Sequence, residues 1–413
     1  MRGFGATDGR LCGKRAAVIL FSYYPTDPRP RRAAEALVDE GMSVDLICLR
    51  ESPSDPKRET VNGVDVRRVP IRRRRGGIVG YVFQYAAFLG VALGILAARS
   101  LTRRYDLVHV HNMPDVLVLS ALVPKILGAR VILDLHDPMP ELMMTIFDLD
   151  RQSAAVGMLR RLERWSIRWA DLALTTNLAF ERLFVSRSCA PGKMRIVMNS
   201  PDERIFGAEP VDPEMARRCP VGTPFVIMYH GSLVERNGVD LAVEALARVR
   251  EFVVPVELRI YGTSTPFLDR VMASVRARGL GDRVHFLGPK RLEEIVEAIG
   301  ACDVGVIPNQ RSVFTELNMP TRIFEYLALG KPAIAPRAAG ILDYFDEDSL
   351  IFFELGDADD LARRIQDVWA DPVKAAAITR RGQDVYRAHA WRRERQALVQ
   401  AVRGVLGSRG RPR

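Results

Sequence analysis

The sequence predicts an α/β protein of two doubly wound halves, each a mostly parallel sheet flanked by helices. Three observations carry this. Near the start, an apolar run Arg15–Phe21, a helical stretch Arg31–Glu40 stopped by Gly41, and a second run Ser43–Cys48 form a strand–helix–strand unit. Far downstream, Val304–Pro308, a helix opened by Pro320, and Ala333–Ala335 repeat the plan. The chain's 413 residues, 48% of them apolar, suffice for two packed domains.

In the first half, the loop SYYPTDPRP follows the first strand. It lacks the three-glycine dinucleotide fingerprint, which argues against an NAD or FAD enzyme. It offers Asp27, Arg29, Arg31 and Arg32 at a strand's carboxyl end, where such sheets bind ligands; a solvated loop entering a basic helical turn fits the same residues. Val64–Pro70 is a further strand, followed by the run Arg72–Arg75. Ile78–Ala98 carries no formal charge and could just cross a bilayer of roughly 30 Å. Gly80, Gly90, Gly94 and Gln84 interrupt it, and a span would separate strands that should pair. One or two helices are expected instead, with one face on the core and the other near lipid. Arg72–Arg75 would then face an anionic leaflet, at about 1 kcal/mol per basic group. A buried helix beside a solvated arginine loop is the alternative.

Asp106–His111 ends in His109 and His111, which alternate onto one face. No third ligand lies near them in sequence, so no metal is expected. Val131–Leu135 delivers His136 and Asp137 to a strand's carboxyl end, a place where a histidine is often structural. Leu159–Ala170 is an amphipathic helix, and Asp171–Thr175 and Met194–Met198 are strands. The string FDLD at Asp148–Asp150 lies in a linker and reads as chance.

The second half begins near Thr223. Phe225–His230 is a strand, GSLVERNG a loop bracketed by Gly231 and Gly238, and Val239–Arg250 a helix. Backbone in that loop can approach a diphosphate. Glu257–Tyr261 with Gly262, and Arg283–Gly288, are strand–turn pairs. The most informative stretch is Asn318–Pro332, NMPTRIFEYLALGKP. Pro320 and Thr321 open its helix, Ile323, Phe324, Leu327 and Ala328 form one stripe, and Gly330 stops it. Its N-terminus suits a phosphate. Glu325, one turn in, can accept hydrogen bonds from a vicinal diol, although the helix dipole favours a glutamate there in any case. Leu350–Phe353 and Asp357–Trp369 follow as strand and helix.

Net charge is +10, with only seven lysines among the cations. That suits phosphate-bearing substrates or an anionic membrane. The aromatic interleaving of a nucleic-acid binder is missing, so no nucleic acid is expected. Cys12, Cys48, Cys189, Cys219 and Cys302 have neither metal nor redox spacing, which fits a reducing cytoplasm, and no signal peptide is visible.

NMPTRIFEYLALGKP, together with DPRPRRAAEAL, DVLVLSALVPKILGARVILDLHD and MNSPDERIF, resembles the family 4 glycosyltransferases. These are retaining nucleotide-sugar enzymes of the GT-B fold; the branch is the one written Pro-x-Lys/Arg-x-x-Glu-Tyr-x-Ala-x-Gly-x-Pro. The resemblance implies two Rossmann-like domains facing across a cleft. Residues 15–200 would form the acceptor side, with a C-terminal helix 386–413 packing back on it, and 201–385 the donor side. It implies transfer from a UDP- or GDP-linked sugar to a hydroxyl of a glycan or lipid-linked acceptor, in cell-surface polysaccharide or glycolipid assembly. The place would be the cytoplasm, at the inner face of the membrane, and no metal or other cofactor would be needed. The donor would meet Gly231, Ser232, Gly262, Asn318, Met319, Pro320 and Thr321, with its ribose on Glu325. Asp27, Arg29, Asn112 and Asp137 would face the acceptor, and His136 the transferred sugar or its acceptor.

Two departures from the family pattern stand out. The first of its two glutamates falls on Leu317, with Glu316 one place off. The loop arginine and lysine that meet the diphosphate are Ser232 and Asn237, leaving Arg236 and Arg322 as substitute cations. A non-catalytic relative acting as a membrane-associated partner, or a nucleotide-sugar epimerase, are the alternatives.

Overall fold

The computed structural model describes residues 9, 11–71, 77–211, 223–251 and 255–407. Arg72–Arg75, the expected membrane-facing run, lie outside them. The chain divides into two compact units, Met1–Asn199 with Arg392–Arg413, and Ser200–Trp391.

The first unit holds strands β1 (Arg15–Ile19), β2 (Ser43–Leu49), β3 (Arg58–Val61), β4 (Val64–Val69), β5 (Leu107–His111), β6 (Arg130–Leu135), β7 (Leu172–Thr175) and β8 (Met194–Ile196). They lie in the order β3-β4-β2-β1-β5-β6-β7-β8, and all neighbours are parallel except β3 and β4. The strand β3 was not expected. Its turn, Asn62-Gly63, has both residues at positive φ, 51° and 77°, the two-residue hairpin geometry that an Asn-Gly pair favours.

Helix α1 spans Pro28–Asp39 and so begins three residues before the expected Arg31. Prolines at its first positions pre-set the helical φ. The expected loop arginines Arg29 and Arg32 therefore sit in a buried first turn. Helix α2, Ile78–Thr102, is one unbroken helix. Tyr85, Phe88, Ala92 and Leu96 form its buried stripe, and it packs on the 3-10 turn Asp115–Ala121 and the short helix Leu122–Ile126. Val79, Val82, Phe83, Val91 and Leu101 stay exposed. Val79–Thr102 is long and apolar enough to cross a membrane by length and composition.

The helix Trp391–Gly407 completes this unit. Glu394 accepts the backbone N–H of Met198 at 2.7 Å, while Arg395 and Arg403 reach Glu40 at 3.0 and 2.7 Å.

The second unit holds β9 (Phe225–His230), β10 (Val256–Tyr261), β11 (Val284–Phe286), β12 (Val304–Val306), β13 (Ala333–Pro336) and β14 (Ile351–Phe353). Their order β11-β10-β9-β12-β13-β14, all parallel, is the doubly wound arrangement that reverses between its first and fourth strands. Ligands of such sheets bind at that reversal, outside the carboxyl ends of β9 and β12. The helix Thr321–Ala328 lies against these strands, with the Tyr326 hydroxyl donating to Met228 O at 2.9 Å.

Candidate active site

In the second unit, the sheet reversal gathers most of the expected donor residues. β9 ends in His230, and Gly231 follows with φ +124°. Gly262, after β10, has φ +155°, and a Cβ there would lie 2.3 Å from Gly231 O. The two turns are pressed together so closely that a side chain at 262 has no room. Across the loop, a Cβ on Gly238 would lie 1.7 Å from Pro308 O, which fixes the GSLVERNG loop onto the segment after β12.

Arg322, in the first turn of Thr321–Ala328, donates Nη1 to His230 O at 2.9 Å and lies 4.6 Å over the Tyr229 ring. Its side chain runs alongside Gly231, with Cδ, Nη1 and Cζ 3.5–3.8 Å from where a Cβ would stand. Pro320 holds the N-cap position without a side-chain cap, Met319 is buried, and Asn318 N donates to Phe314 O at 3.0 Å. Glu325 was expected in an exposed turn; its side chain is only 15% exposed. Its Oε2 stands 3.4 Å from His230 Nε2, a close contact rather than a formed hydrogen bond. Burial, and then Arg322, push the His230 pKa down to about 3, so the imidazole is neutral.

Asn237 and Ser232, expected to replace the two diphosphate cations, hold the loop together. The Asn237 side chain and the Tyr229 hydroxyl both donate to Ser232 O at 2.8 Å, which ties the loop to itself. Arg236 lies 5.8 Å over the Phe314 ring. Glu316, beside the position of the missing glutamate, accepts from Arg311 at 3.1 Å.

In the first unit, Asn112 joins the ends of β5 and β6. Its Oδ1 accepts His136 N at 3.2 Å, and its Nδ2 donates to Asp137 O at 2.7 Å and Asp115 Oδ1 at 3.0 Å. His136 is half-buried, and among the described residues its Nε2 has no hydrogen-bond partner. Asp27 holds the N-cap of α1 without capping it through its side chain.

Arg29 departs most from expectation. Instead of facing an acceptor, it is 7% exposed and clamps Asp134, with Nε 3.2 Å from both carboxylate oxygens and Nη2 2.6 Å from Oδ1. Nη1 donates to Val197 O at 2.9 Å. Asp134 Oδ2 also lies 3.3 Å from His111 Nδ1 and 3.4 Å from His109 Nε2. The third partner that His109 and His111 lacked in sequence thus comes from the neighbouring strand, and donor atoms of all three lie within 4.8 Å of one another. Arg29 already supplies this carboxylate with the counter-charge an ion would bring. Burial alone would raise the Asp134 pKa; Arg29, then the two histidines, hold it well below the usual range.

His230 and Asp134 were missed by sequence reasoning. Each carried a signal: His230 directly precedes Gly231, and Asp134 shares the strand parity of His136.

Residues 27–200 match the family described as glycosyl transferase 4-like domain, and residues 224–371 match glycosyl transferases group 1. The chain belongs to the GT-B glycosyltransferases. This GT-B chain is 23% identical over 297 residues to the sulfoquinovosyl transferase SQD2 of Arabidopsis thaliana, covering 70% of the chain and 54% of that protein. It therefore spans about half the length of that curated relative. Among solved structures, sucrose-phosphate synthase from Thermosynechococcus elongatus superposes with a TM-score of 0.77 at 20% identity, over 96% of this chain and 100% of that one. HepE of Anabaena, solved with UDP and glucose, gives 0.70 at 16% identity, over 95% and 100%.

Proposed function

We propose that this chain transfers a glycosyl group from a UDP- or GDP-linked sugar to a hydroxyl of a glycan or lipid-linked acceptor, with retention of configuration and without a metal. The observation that carries the reading is the meeting of the Arg322 guanidinium, the Glu325 carboxylate and the Gly231 backbone at the sheet reversal. Ribose hydroxyls donate to Glu325. The diphosphate lies against Arg322 and the first N–H groups of the Thr321–Ala328 helix, which stabilise the charge it gains as the glycosidic bond breaks. In a front-face reaction the departing diphosphate takes the acceptor proton, so no hydrolase-type carboxylate pair is required. Asn112, His136 and Asp137 are assigned to the acceptor, on the first unit. The cytoplasm, with peripheral contact to an anionic membrane, is the proposed location; the exposed Val79, Val82 and Phe83 of α2 support the contact. SQD2 is named a sulfoquinovosyl transferase and HepE was solved with UDP and glucose, which supports a sugar-nucleotide donor here.

A panel of nucleotide sugars, read by thermal shift and by release of the nucleoside diphosphate, tests the reading. Donor hydrolysis without acceptor marks an enzyme. A donor isomerised with its sugar–phosphate bond intact would mark an epimerase. No shift and no turnover with any donor would favour a non-catalytic partner, the reading that Ser232 and Asn237 support. Glu325→Ala is expected to weaken nucleotide binding by about 1–3 kcal/mol in a folded protein. Unchanged affinity by calorimetry would remove Glu325 from the site. For the membrane, Val82→Ser with Phe83→Ser should lower flotation with anionic liposomes, and equal recovery of variant and wild type would refute the contact.

A further inference from the structure

At the opposite edge of the first sheet from β8, the β3–β4 hairpin sets Arg58 directly across from Arg67. Like charges in that position repel. Alternation along the strands places both on the face that also carries Thr60 and Asp65. The last turns of α2 border the same space with Ile95 and Arg99, and together these residues line a cavity of about 510 Å³.

Glu59 and Asp65 also line the cavity, but among the described residues neither pairs with Arg58 or Arg67. Glu59 pairs with Arg68 at 2.5 Å, and Asp65 Oδ1 accepts the Thr60 hydroxyl at 2.8 Å. Asp45 serves Arg15 at 3.1 Å, Arg99 at 3.0 Å and the Tyr105 hydroxyl at 2.5 Å. Among the described residues, neither Arg58 nor Arg67 forms an ion pair. Burial, and then the charges of Arg58 and Arg99, push the Arg67 pKa down.

We propose that the Arg58–Arg67–Arg99 pocket binds a phosphate-bearing group. Two guanidinium forks on facing strands can grip several oxygens of one phosphate, and the bound charge would relieve the repulsion between them. The phosphate can come from a soluble phosphorylated compound or from an anionic lipid headgroup. The exposed Leu101 of α2, next to the pocket residue Thr102, gives the lipid source an apolar neighbour. The site is separate from the donor residues and does not depend on the proposed transfer reaction.

The test compares wild type with Arg58→Gln/Arg67→Gln and Arg58→Lys/Arg67→Lys. The probes are inorganic phosphate, by calorimetry, and vesicles of phosphatidylglycerol in phosphatidylcholine, by flotation. Phosphate bound at the second unit is read separately from Arg322→Ala, which leaves this pocket intact. The glutamine pair should lose at least tenfold in affinity for one or both probes, and the lysine pair should recover part of it. In phosphate-free buffer the glutamine pair should melt no lower than wild type, because it removes a repulsion and breaks no ion pair. Should it nonetheless melt lower, Arg67→Gln alone provides the same comparison. A loss confined to free phosphate identifies a soluble ligand, and one confined to vesicles a headgroup; both support the site. Equal binding of both probes by wild type and the glutamine pair, or no pocket-dependent binding by wild type, would overturn it.

Discussion

Arg322→Ala is expected to lower turnover of the donor by about 10²–10³, or about 2.7–4 kcal/mol, the effect of losing one preorganised donor to a developing oxyanion. In the proposed reaction Ser232 and Asn237, whose groups tie the loop to itself, bring no charge to the diphosphate, and another cation would have to meet it. Arg322 is held in place from two sides, by His230 O and by the Tyr229 ring, and flanks the Gly231 turn. Arg322→Lys should recover only part of the rate, since an ammonium cannot reproduce the planar fork. Arg236→Ala should cost less, because Arg236 lies over Phe314. Single-turnover rates and melting temperatures measured together separate lost chemistry from lost packing. If both single variants and the double variant match wild type, the diphosphate is held elsewhere.

Asp134→Ala is expected to destabilise the first unit by about 3–5 kcal/mol, the cost of stranding a buried guanidinium. Arg29 would keep only Val197 O among the partners described above, and His109 and His111 would lose the carboxylate they flank. Replacing the pair together, as Arg29→Met with Asp134→Leu, should restore much of the loss, since neither residue is then left as a lone buried charge. The pH dependence has a definite sign. The native pKa of Asp134 is depressed, so its contribution is present above the unfolded value, near 4, and is lost as pH falls through the lower native value. The gap between wild type and variant should therefore narrow in strong acid. Urea unfolding, with the two units' transitions resolved, provides the measurement. A loss below about 1 kcal/mol would show that Arg29 finds another partner.

Much of this architecture was legible because its signals are local. The helix Thr321–Ala328 was visible in its apolar stripe and in the Gly330-Lys331-Pro332 stop, and β9 lies where its apolar run placed it. The hairpin β3–β4 was equally local and was overlooked: Asn62-Gly63 between alternating residues is a strong turn signal, but the polar sequence of β3 hid its strand. Other features were invisible for a physical reason. Arg29 looks like a solvent-facing loop residue until α1 starts at Pro28 and turns it towards Asp134, 105 residues away in sequence. Nor does any spacing rule join His230 to Glu325, which come together only when the helix lies across the end of β9.

The helix Trp391–Gly407 sets a constraint on how the chain is made. The ribosome delivers its Glu394, Arg395 and Arg403 only after every residue of the second unit has emerged. Until then the backbone N–H of Met198 lacks its carboxylate and Glu40 both of its arginines. Leu398, Val399 and Val402, buried in the finished protein, are not yet there to cover the first unit. The part of the protein synthesised first is thus closed last, and its nascent form waits with an uncovered apolar face while the second unit folds. A stop codon shortly after Trp391 would accordingly damage the amino-terminal unit, at the far end of the gene from the lesion.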